Sequence, residues 1–408
     1  MKITKVQVSN YKSLKEISIK GFLETNMIFG MNNSGKSNFL KLLELIFKRK
    51  RRKEVVRFQE GTEEVEEEVE LNTTNFWEGY IYSSPYLYWK DEDNSIKFTI
   101  RVEVSKDELT GFNEKLYVDL DTAGFFEKLT SLQFEFIGEI KKAGGFDSEI
   151  VLNQVNLGIK PIFNLSDDGL PEYFPEDTPI FDKHSEQGFY DLVTNFNDCV
   201  ELIDSDRYFK KELFQIESEN ILLSPGSLKN WLYEKHLNSK SYDEFQELQV
   251  FLNEIEIGAN ILHSAKGKLD NFPMNKIQIG FSKFEDELEI MLTTTFGRLP
   301  LKNHGTGVQQ VIYLFTKIFE SNSKIILIEE AELNLSHEYQ RIIIHNMNRL
   351  VKIGRINQFI FTSHSDVFKR NDFPHFEVTI DEKGASNIAK TENMRTSIEK
   401  IVKGVKSK

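Results

Sequence analysis

Two glycines, a lysine and a serine lie close together near the start of the chain, in the segment IFGMNNSGKSNF at residues 28–39. Gly30 to Ser37 match the phosphate-binding loop G-x-x-x-x-G-K-[ST] at every defined position. The glycines let successive backbone N–H groups turn toward phosphate oxygens at the positive end of the following helix. An apolar run precedes this loop and a helical pattern follows it, which favours a nucleotide site over a chance glycine turn.

The residues of this loop have separate expected roles. Lys36 is expected to reach the β and γ phosphates and to act in catalysis, and the Ser37 hydroxyl to ligate magnesium. The full predicted nucleotide-binding set from this segment is Gly30, Asn32, Asn33, Ser34, Gly35, Lys36, Ser37 and Asn38.

Three carboxylates follow the wholly apolar run Ile325 to Ile328, in the segment KIILIEEAE. Carboxylates clustered at the end of a buried strand are costly unless a metal ion or a proton transfer uses them. We therefore assign Glu329 to the magnesium ion and Glu330 to polarising the attacking water. The alternative is a plain solvated strand end.

Two further segments could contact phosphate. In NHGTGVQQ, residues 303–310, Gly305, Thr306 and Gly307 precede a helical pattern and form a second anion site. One nucleotide needs one such cradle, so this second cradle is expected to serve a nucleotide on another copy of the chain; the alternative is an ordinary glycine turn. His364, in FIFTSHSD, follows a buried strand and is predicted to sense the γ-phosphate, unless its role is structural.

Alternating strands and helices must position these residues. The first 35 residues predict short strands, and a helix with one buried face follows Ser37. After Lys276 the pattern predicts a β-hairpin, a helix over Val308–Phe319, the strand KIILI, a helix over Glu338–Val351 and the strand QFIFTS. Fully apolar strands alternating with helices predict a largely parallel sheet covered on both faces. Residues 110–270 are less legible, and we interpret them as an inserted, mostly helical domain.

Composition excludes several classes of protein. A chain of 408 residues with 39% apolar and 28% charged residues predicts a folded protein of two or three domains. Its net charge of −13 disfavours general DNA coating. The single cysteine, Cys199, excludes a disulfide framework and a cysteine-based zinc site, and it fits a reducing compartment. With neither an apolar signal segment nor a bilayer-length apolar run, we expect a cytoplasmic protein without membrane insertion.

Two charged runs stand apart from the motifs. The basic run Lys48–Lys53 is interpreted as a helix end and the acidic run Glu60–Glu70 as a solvated loop, and their opposite charges can attract one another. The alternative is that Lys48–Lys53 contacts nucleic acid or a protein partner.

Taken in order, these motifs resemble the ATP-binding-cassette (ABC) class of P-loop ATPases, in the branch that contains SMC and RecF proteins and OLD-family nucleases. VSNYKSLKEISI is similar to the first hairpin of that branch, Gly30 to Ser37 to its Walker A loop, and NHGTGVQQ to its signature motif. ILIEEAELNL is similar to Walker B and the D-loop, and FTSHSD to the switch histidine. The resemblance covers residues 1–105 and 275–380. This sequence departs from the resemblance at three places. Relatives usually have proline at the position of Ala331 and His-Pro at Ser336-His337. Many relatives have aspartate at the position of Glu329.

The resemblance implies an α/β fold: an ABC-type ATPase head, with a mostly parallel sheet flanked by helices and an antiparallel β subdomain. Residues 1–105 and 275–408 would form the head, and residues 106–274 an inserted, mainly helical domain. It also implies ATP and Mg²⁺ as ligands and a head-to-tail homodimer, or a higher homo-oligomer. In that pair Gly305, Thr306 and Gly307 would contact the γ-phosphate bound by the other subunit.

OLD-family nucleases continue past the switch histidine into a Toprim domain, whereas a short segment follows His364 here. We therefore expect any nuclease to be a separate chain. The first hypothesis is a self-associating sensor or scaffold that controls such an effector in prokaryotic anti-phage defence. In this reading the chain resembles the ATPases of two-gene systems such as PARIS, retron-associated and Septu defence. Among these systems we favour PARIS. The alternatives are a RecF-like DNA-repair or DNA-tethering ATPase, with Lys48–Lys53 at the DNA, and a scaffold that binds ATP without appreciable turnover.

Overall fold

A computed structural model describes the protein from its first residue to Thr391, with gaps. The described residues are 1–47, 52–60, 63–71, 80–82, 95–110, 131–144, 147–166, 168–169, 171–173, 193, 195–209, 215–217, 220–222, 227–237, 242–254, 278–284, 287–294, 297–369 and 372–391.

Strands and helices alternate in the two ends of the chain, and strands dominate the first half. The strands are β1 (Lys2–Tyr11), β2 (Leu14–Lys20), β3 (Thr25–Gly30), β4 (Arg52–Glu60), β5 (Glu63–Leu71), β6 (Tyr80–Tyr82), β7 (Ile96–Ser105), β8 (Ser131–Gly144), β9 (Asp147–Leu157), β10 (Lys160–Leu165), β11 (Pro171–Tyr173), β12 (Val200–Ile203), β13 (Gln215–Glu217), β14 (Asn220–Leu222), β15 (Gln278–Phe284), β16 (Glu287–Thr294), β17 (Gly297–Pro300), β18 (Ile325–Ile328), β19 (Gln358–Thr362), β20 (His375–Ile380) and β21 (Ser386–Thr391). The helices are α1 (Lys36–Phe47), α2 (Lys106–Thr110), α3 (Leu228–Leu237), α4 (Tyr242–Glu254), α5 (Thr306–Glu320), α6 (His337–Lys352) and α7 (Asp366–Lys369), with a 3₁₀ turn at Leu301–Asn303.

A mostly parallel sheet carries the motifs, in the strand order β12-β18-β19-β3-β20-β21. Every neighbouring pair is parallel except β20 with β21. In β18, Ile325 and Leu327 belong to one hydrophobic core, and Ile326 and Ile328 to the other. Because side chains alternate between the faces of a strand, a sheet covered on both sides requires wholly apolar strands. The predicted parallel sheet is confirmed.

An antiparallel sheet packs beside it, in the order β11-β10-β9-β8-β7-β1-β2, with β6 on β9. The pairing of β7 with β8 runs from Ile96↔Ile140 to Ser105↔Ser131. The strands β8, β9 and β10 lie in the segment that we expected to be a mainly helical insertion, and they instead continue the N-terminal sheet. The physical reason is visible in β8, where Leu132, Phe134 and Phe136 alternate with polar residues and are buried.

The segment 106–274 also contributes to the parallel sheet, because β12 pairs with β18 over Val200↔Ile325 to Ile203↔Ile328. Of the helices given above, α2, α3 and α4 lie in this segment. On α4, Phe251 packs against Phe315 and Phe319 of α5, at centroid distances of 5.1 and 5.2 Å.

The acidic run is not a loop in the described residues. It forms β5, which pairs antiparallel with β4 from Arg52↔Leu71 to Glu60↔Glu63. The interpretation as a solvated loop was wrong. Valines occur among the glutamates of this run, and valine favours an extended strand. Residues 48–51 of the basic run lie outside the described residues, so its predicted contact with nucleic acid stays a prediction.

Two hydrophobic cores hold the parallel sheet in place. Apolar residues of α1 pack between its first face and the antiparallel sheet, and α4, α5 and α6 cover its second face. Burying one large aliphatic or aromatic side chain contributes about 1.5–3 kcal/mol. The strand ends that carry the motifs are thus anchored from both sides. None of the helices in the described ranges is long and apolar enough to cross a bilayer.

Candidate nucleotide site

The predicted phosphate loop connects β3 to the first turn of α1 and borders an open cleft of about 610 Å³. The cleft is lined by Asn32, Asn33, Ser34, Gly35, Lys36, Ser37, Asn38, Glu330 and Thr362. Seven consecutive loop and helix residues therefore meet the ends of β18 and β19 in one place. The parallel sheet produces this meeting, because the carboxyl ends of its strands share one edge.

The two loop glycines are required by space and by backbone conformation. Gly30 has φ +155°, and a Cβ atom there would lie 2.2 Å from the Val378 carbonyl oxygen. Gly35 has φ +99°, and its Cβ would lie 2.3 Å from Ser386 Oγ and 2.5 Å from Ser13 Oγ. Any larger residue at either position would force the loop away from β20 or from its neighbouring serines.

Lys36 closes the loop from within. Its buried ammonium donates hydrogen bonds to the carbonyl oxygens of Gly30, at 3.0 Å, and Met31, at 2.7 Å. Burial lowers the pKa of Lys36, while the charges of Glu330 and Glu332 act in the opposite direction. A buried cation that has no ion-pair partner among the described residues fits an incoming anion.

The loop is braced by two serines from distant parts of the chain. The Ser386 hydroxyl forms hydrogen bonds with the Ser34 carbonyl oxygen, at 2.6 Å, and with the Ser13 hydroxyl, at 2.8 Å. The side-chain amide of Asn38 donates to Ser13 Oγ at 2.9 Å. Ser34 Oγ itself is buried and has no hydrogen-bond partner in the described part of the chain. This unsatisfied hydroxyl in the phosphate loop suits a phosphate oxygen.

Glu330 is held at the cleft in a strained backbone conformation. Its φ of +49° lies in the left-handed region, which costs a non-glycine residue about 1–2 kcal/mol. Its N–H donates to Thr362 Oγ1 at 2.8 Å, and its carbonyl oxygen accepts from Leu333 N–H at 2.9 Å. Such strain at a carboxylate facing a phosphate loop is typical of a functional position.

Glu329 lies differently from Glu330. It is buried at the end of β18, and its N–H donates to the Ile203 carbonyl oxygen at 2.9 Å. Among the described residues that line the cleft, the carboxylate is that of Glu330. The assignment of Glu329 to magnesium and of Glu330 to water stays a prediction.

His364 and Glu332 contact one another just past the ends of β19 and β18. The His364 N–H donates to Glu332 Oε1 at 2.6 Å, and the histidine side chain is exposed just past β19. His364 follows β19, and Glu330 follows β18, the strand paired with β19. This position is compatible with the predicted sensor role, which stays a prediction.

The second glycine segment lies elsewhere. Gly305 is the N-cap of α5, and of the described residues that line the cleft none comes from Gly305 to Gly307. Gly305 and Thr306 are exposed, and a Cβ at Gly305 would meet nothing within 4 Å. At Gly307 a Cβ would lie 2.9 Å from the Tyr339 ring of α6. Gly305 is therefore free to meet a ligand, while Gly307 is needed for packing within the chain.

A family model described as the AAA ATPase domain matches residues 1–368. The chain belongs to this AAA ATPase domain family. Because the match includes the phosphate loop, the carboxylates after β18 and His364, the predicted ATPase activity is confirmed at the level of the family: the chain is an ATPase.

One curated protein and two solved structures are similar to this chain over most of its length. A Helicobacter pylori protein named ATP/GTP phosphatase is 22% identical over 394 residues, which cover 91% of this chain and 90% of that protein. A solved SMC head bound to the C-winged helix domain of ScpA is similar with a TM-score of 0.51 at 12% identity, covering 97% of this chain and 99% of that chain. The SMC head domain from Thermotoga maritima has a TM-score of 0.46 at 13% identity, covering 96% of this chain and 100% of that chain. The predicted α/β fold of an ABC-type ATPase head is confirmed.

The residues at the cleft of this AAA ATPase fit a magnesium nucleotide. The described residues contain no group of three or more His, Cys, Asp or Glu side chains placed to hold a metal ion. Mg²⁺ usually keeps several waters and binds through one or two carboxylates together with substrate phosphates. Ser37 lines the cleft, and Glu329 is buried beside it at the end of β18. With the phosphate oxygens of the nucleotide, these two residues would be a set of this kind.

Sequence reasoning missed several residues of the site. Thr362, Ser13 and Ser386 support Glu330 and the loop, but hydroxyl residues at strand ends carry no distinctive pattern. Arg207, which contacts the carbonyl oxygens of Glu329 and Glu330, follows β12. This strand has the sequence VELI, and its length of four residues and its charged Glu201 make it a weak signal for a strand of the parallel sheet.

Proposed function

We propose that this ATPase binds Mg²⁺ and ATP in the cleft beside Gly30 to Ser37 and uses the nucleotide to close a head-to-tail pair of subunits. The observation that carries the proposal is the meeting of the phosphate loop with Glu330 and Thr362 in one cleft. In this arrangement Lys36 exchanges its bonds to the loop carbonyls for phosphate oxygens, while Ser37 and Glu329 would hold the metal ion. Mg²⁺ would supply neutralisation of the phosphate charge there.

Glu330 is the proposed general base. Its carboxylate lines the cleft, and the bonds of its backbone to Thr362 and Leu333 keep it there without further reorganisation. It would orient a water molecule toward the γ-phosphate and accept its proton. His364, exposed at the neighbouring strand end, would contact the γ-phosphate once the pair closes.

Each site is proposed to need a second copy of the chain. The signature residues Gly305 to Gly307 are not among the described residues that line the cleft of their own subunit, and Gly305 and Thr306 are exposed at the start of α5. A helix N-terminus with free N–H groups is an anion site, so it suits the γ-phosphate held by a partner subunit.

Mixing two inactive variants tests this half-site arrangement. Lys36→Ala disables the phosphate loop, and Gly305→Asp places a negative charge at the signature. A mixed pair joins the intact loop of one subunit to the intact signature of the other, so ATP turnover should reappear on mixing. Two variants that stay inactive together, although they exchange subunits, would contradict the head-to-tail site.

We further propose that the pair controls a separately encoded effector, such as a Toprim nuclease, in prokaryotic anti-phage defence. Support comes from the motif resemblance to the ATPases of two-gene defence systems, PARIS in particular, and from a similar head whose structure includes a domain of the partner protein ScpA. The full chain should co-purify with the product of the neighbouring gene and release it when ATP is hydrolysed. A chain that stays single and inert beside that product would overturn this part of the proposal.

The basic run Lys48–Lys53 favours a second candidate, a RecF-like DNA-repair or DNA-tethering ATPase. It predicts ATP turnover stimulated by duplex DNA and binding that weakens steeply with salt. Charge reversal at Lys48 and Lys53 should then abolish the stimulation. Turnover indifferent to DNA would leave the effector proposal as the better account.

A further inference from the structure

Arg207 is a fully buried arginine, 1% exposed, that contacts backbone and forms no ion pair among the described residues. Its Nη2 group donates to the carbonyl oxygens of Glu330, at 2.9 Å, and of Glu329, and its Nε group to the Asp204 carbonyl oxygen at 3.0 Å. Burial lowers its pKa to about 10, opposed by nearby carboxylates, first that of Glu332, so the guanidinium is charged at neutral pH. Burying a cation is costly, so its contacts are expected to have a specific use.

The first use is to hold Glu330. The left-handed backbone of Glu330 turns its carbonyl oxygen toward the interior, where Arg207 and the Leu333 N–H both donate to it. On the other side the Glu330 N–H is bound by Thr362. Arg207 therefore holds the carbonyl oxygen of this strained residue, and Thr362 holds its N–H group.

The backbone of Arg207 also contacts the signature helix α5. Gln310, buried in the second turn of α5, donates from Nε2 to the Arg207 carbonyl oxygen at 2.6 Å. The start of α5 is further held by Gly307 against the Tyr339 ring. A shift of α5 would consequently move Gln310, then Arg207, and with it the peptide groups of Glu329 and Glu330.

We propose that Arg207 is a positioning residue that couples the signature helix α5 to the orientation of Glu330 within one subunit. This inference rests on the proposed head-to-tail pair. In that pair α5 contacts the nucleotide of the partner subunit, while Glu330 acts on the nucleotide of its own. Engagement of one site thereby aligns the general base of the other, and the two sites turn over in a coupled manner.

Arginine suits this task better than lysine. A planar guanidinium presents several donors in a fixed fork, so one side chain can bind three carbonyl oxygens at once. A lysine would keep the charge but lose the fork. Arg207→Lys should therefore retain part of the activity that Arg207→Met loses.

The test is a double-mutant cycle on the full chain, using Arg207→Met, Gln310→Met and the double variant. Steady-state ATP turnover gives kcat, KM and the Hill coefficient, and equilibrium titration with a non-hydrolysable ATP analogue gives Kd. Each single variant should lower kcat about tenfold or more and bring the Hill coefficient toward one, with Kd nearly unchanged. Because both residues belong to one chain of contacts, the double variant should be little worse than Arg207→Met alone.

Gln358→Met is the matched control. Gln358 is also a buried glutamine whose side chain forms hydrogen bonds with backbone groups, at Ile3 and Leu23. It is the first residue of β19, whereas Thr362, which contacts Glu330, is the last. This substitution should lower thermal stability and leave kcat of the folded protein unchanged. If Arg207→Met fails to fold, Arg207→Lys and Gln310→Met complete the measurement.

The outcomes separate this inference from the proposed function. Additive effects in the cycle, or a Gln310→Met protein with normal kcat and Hill coefficient, would overturn the coupling. Glu330→Gln measured alongside checks the function itself: if it abolishes turnover while the cycle is additive, the coupling alone fails. If Glu330→Gln retains turnover, the assignment of Glu330 as the base fails first.

Discussion

The backbone N–H of Glu330 donates a hydrogen bond of 2.8 Å to Thr362 Oγ1, which ties the end of β18 to the end of β19 beside the phosphate loop. These two residues are separated in sequence by the whole of α6, and the parallel pairing of their strands brings them together. Both line the cleft. The geometry of the proposed base thus depends on a neutral hydroxyl from the neighbouring strand.

Replacing that hydroxyl should slow catalysis without preventing folding. Thr362→Val keeps the shape of the side chain but leaves the Glu330 N–H unpaired, at a cost of about 1–3 kcal/mol. We expect kcat to fall about tenfold or more, with a smaller change in the Kd for ATP. The measurement is phosphate release at saturating ATP. Thr391→Val, at the far end of β21, is the matched control and should have normal kcat.

Alkaline pH should weaken ATP binding through Lys36. Burial lowers the pKa of its ammonium below the usual value of 10.5, so the group loses its proton at a lower pH than an exposed lysine. The protonated form binds phosphate, so the Kd for ATP should rise as pH passes through that lowered pKa. Lys36→Arg stays charged over this range and should show no such rise. A wild-type Kd that is flat up to pH 10.5 would contradict this role of Lys36.

The same lowered pKa has an opposite effect on stability without nucleotide. Between the folded and the unfolded pKa of Lys36, the unfolded chain binds more protons than the folded chain. The Lys36 contribution to the free energy of unfolding should therefore increase as pH rises through this window. Chemical denaturation at several alkaline pH values measures the free energy of unfolding of wild type and of Lys36→Met. The increase due to Lys36 should be seen in wild type and be absent in the variant.

The two signature glycines should respond differently to substitution. Asp is a favourable N-cap residue and Gly305 has open space around it, so Gly305→Asp should fold with an unchanged thermal midpoint while ATP-dependent pairing is lost. Gly307→Ala would press a methyl group against the Tyr339 ring and should cost about 1–3 kcal/mol of stability. Thermal unfolding and light scattering with ATP distinguish the two. Equal destabilisation by both would contradict the separate roles.

Much of the ATPase head was predictable because its signals are local. The run Ile325 to Ile328 and the phosphate loop can each be recognised from a few consecutive residues. The bounds of α6 were predicted within one residue at either end. The antiparallel sheet was harder, since β8 pairs with β7 across an intervening stretch that separates them in sequence. Non-local pairing leaves no pattern in either strand that names its partner.

The candidate site divides in the same way. Residues that contact phosphate have required types and fixed spacing, so Lys36 and Ser37 could be found in the sequence. Residues that orient them do so through single hydrogen bonds, which many side chains can make. Arg207 and Thr362 therefore became visible once the strand order β12-β18-β19 was known.

The central claim is an ATP-driven pairing of subunits that Glu330 reverses by hydrolysis. The most direct measurement is the molar mass of Glu330→Gln in solution, with and without ATP and Mg²⁺, alongside its ATP turnover. We expect turnover to fall about a hundredfold or more, because the general base is lost. In the same variant we expect a stable ATP-bound dimer or higher assembly that Gly305→Asp abolishes. A Glu330→Gln protein that still hydrolyses ATP near the wild-type rate, or one that binds ATP yet keeps the mass of a single chain, would contradict the account.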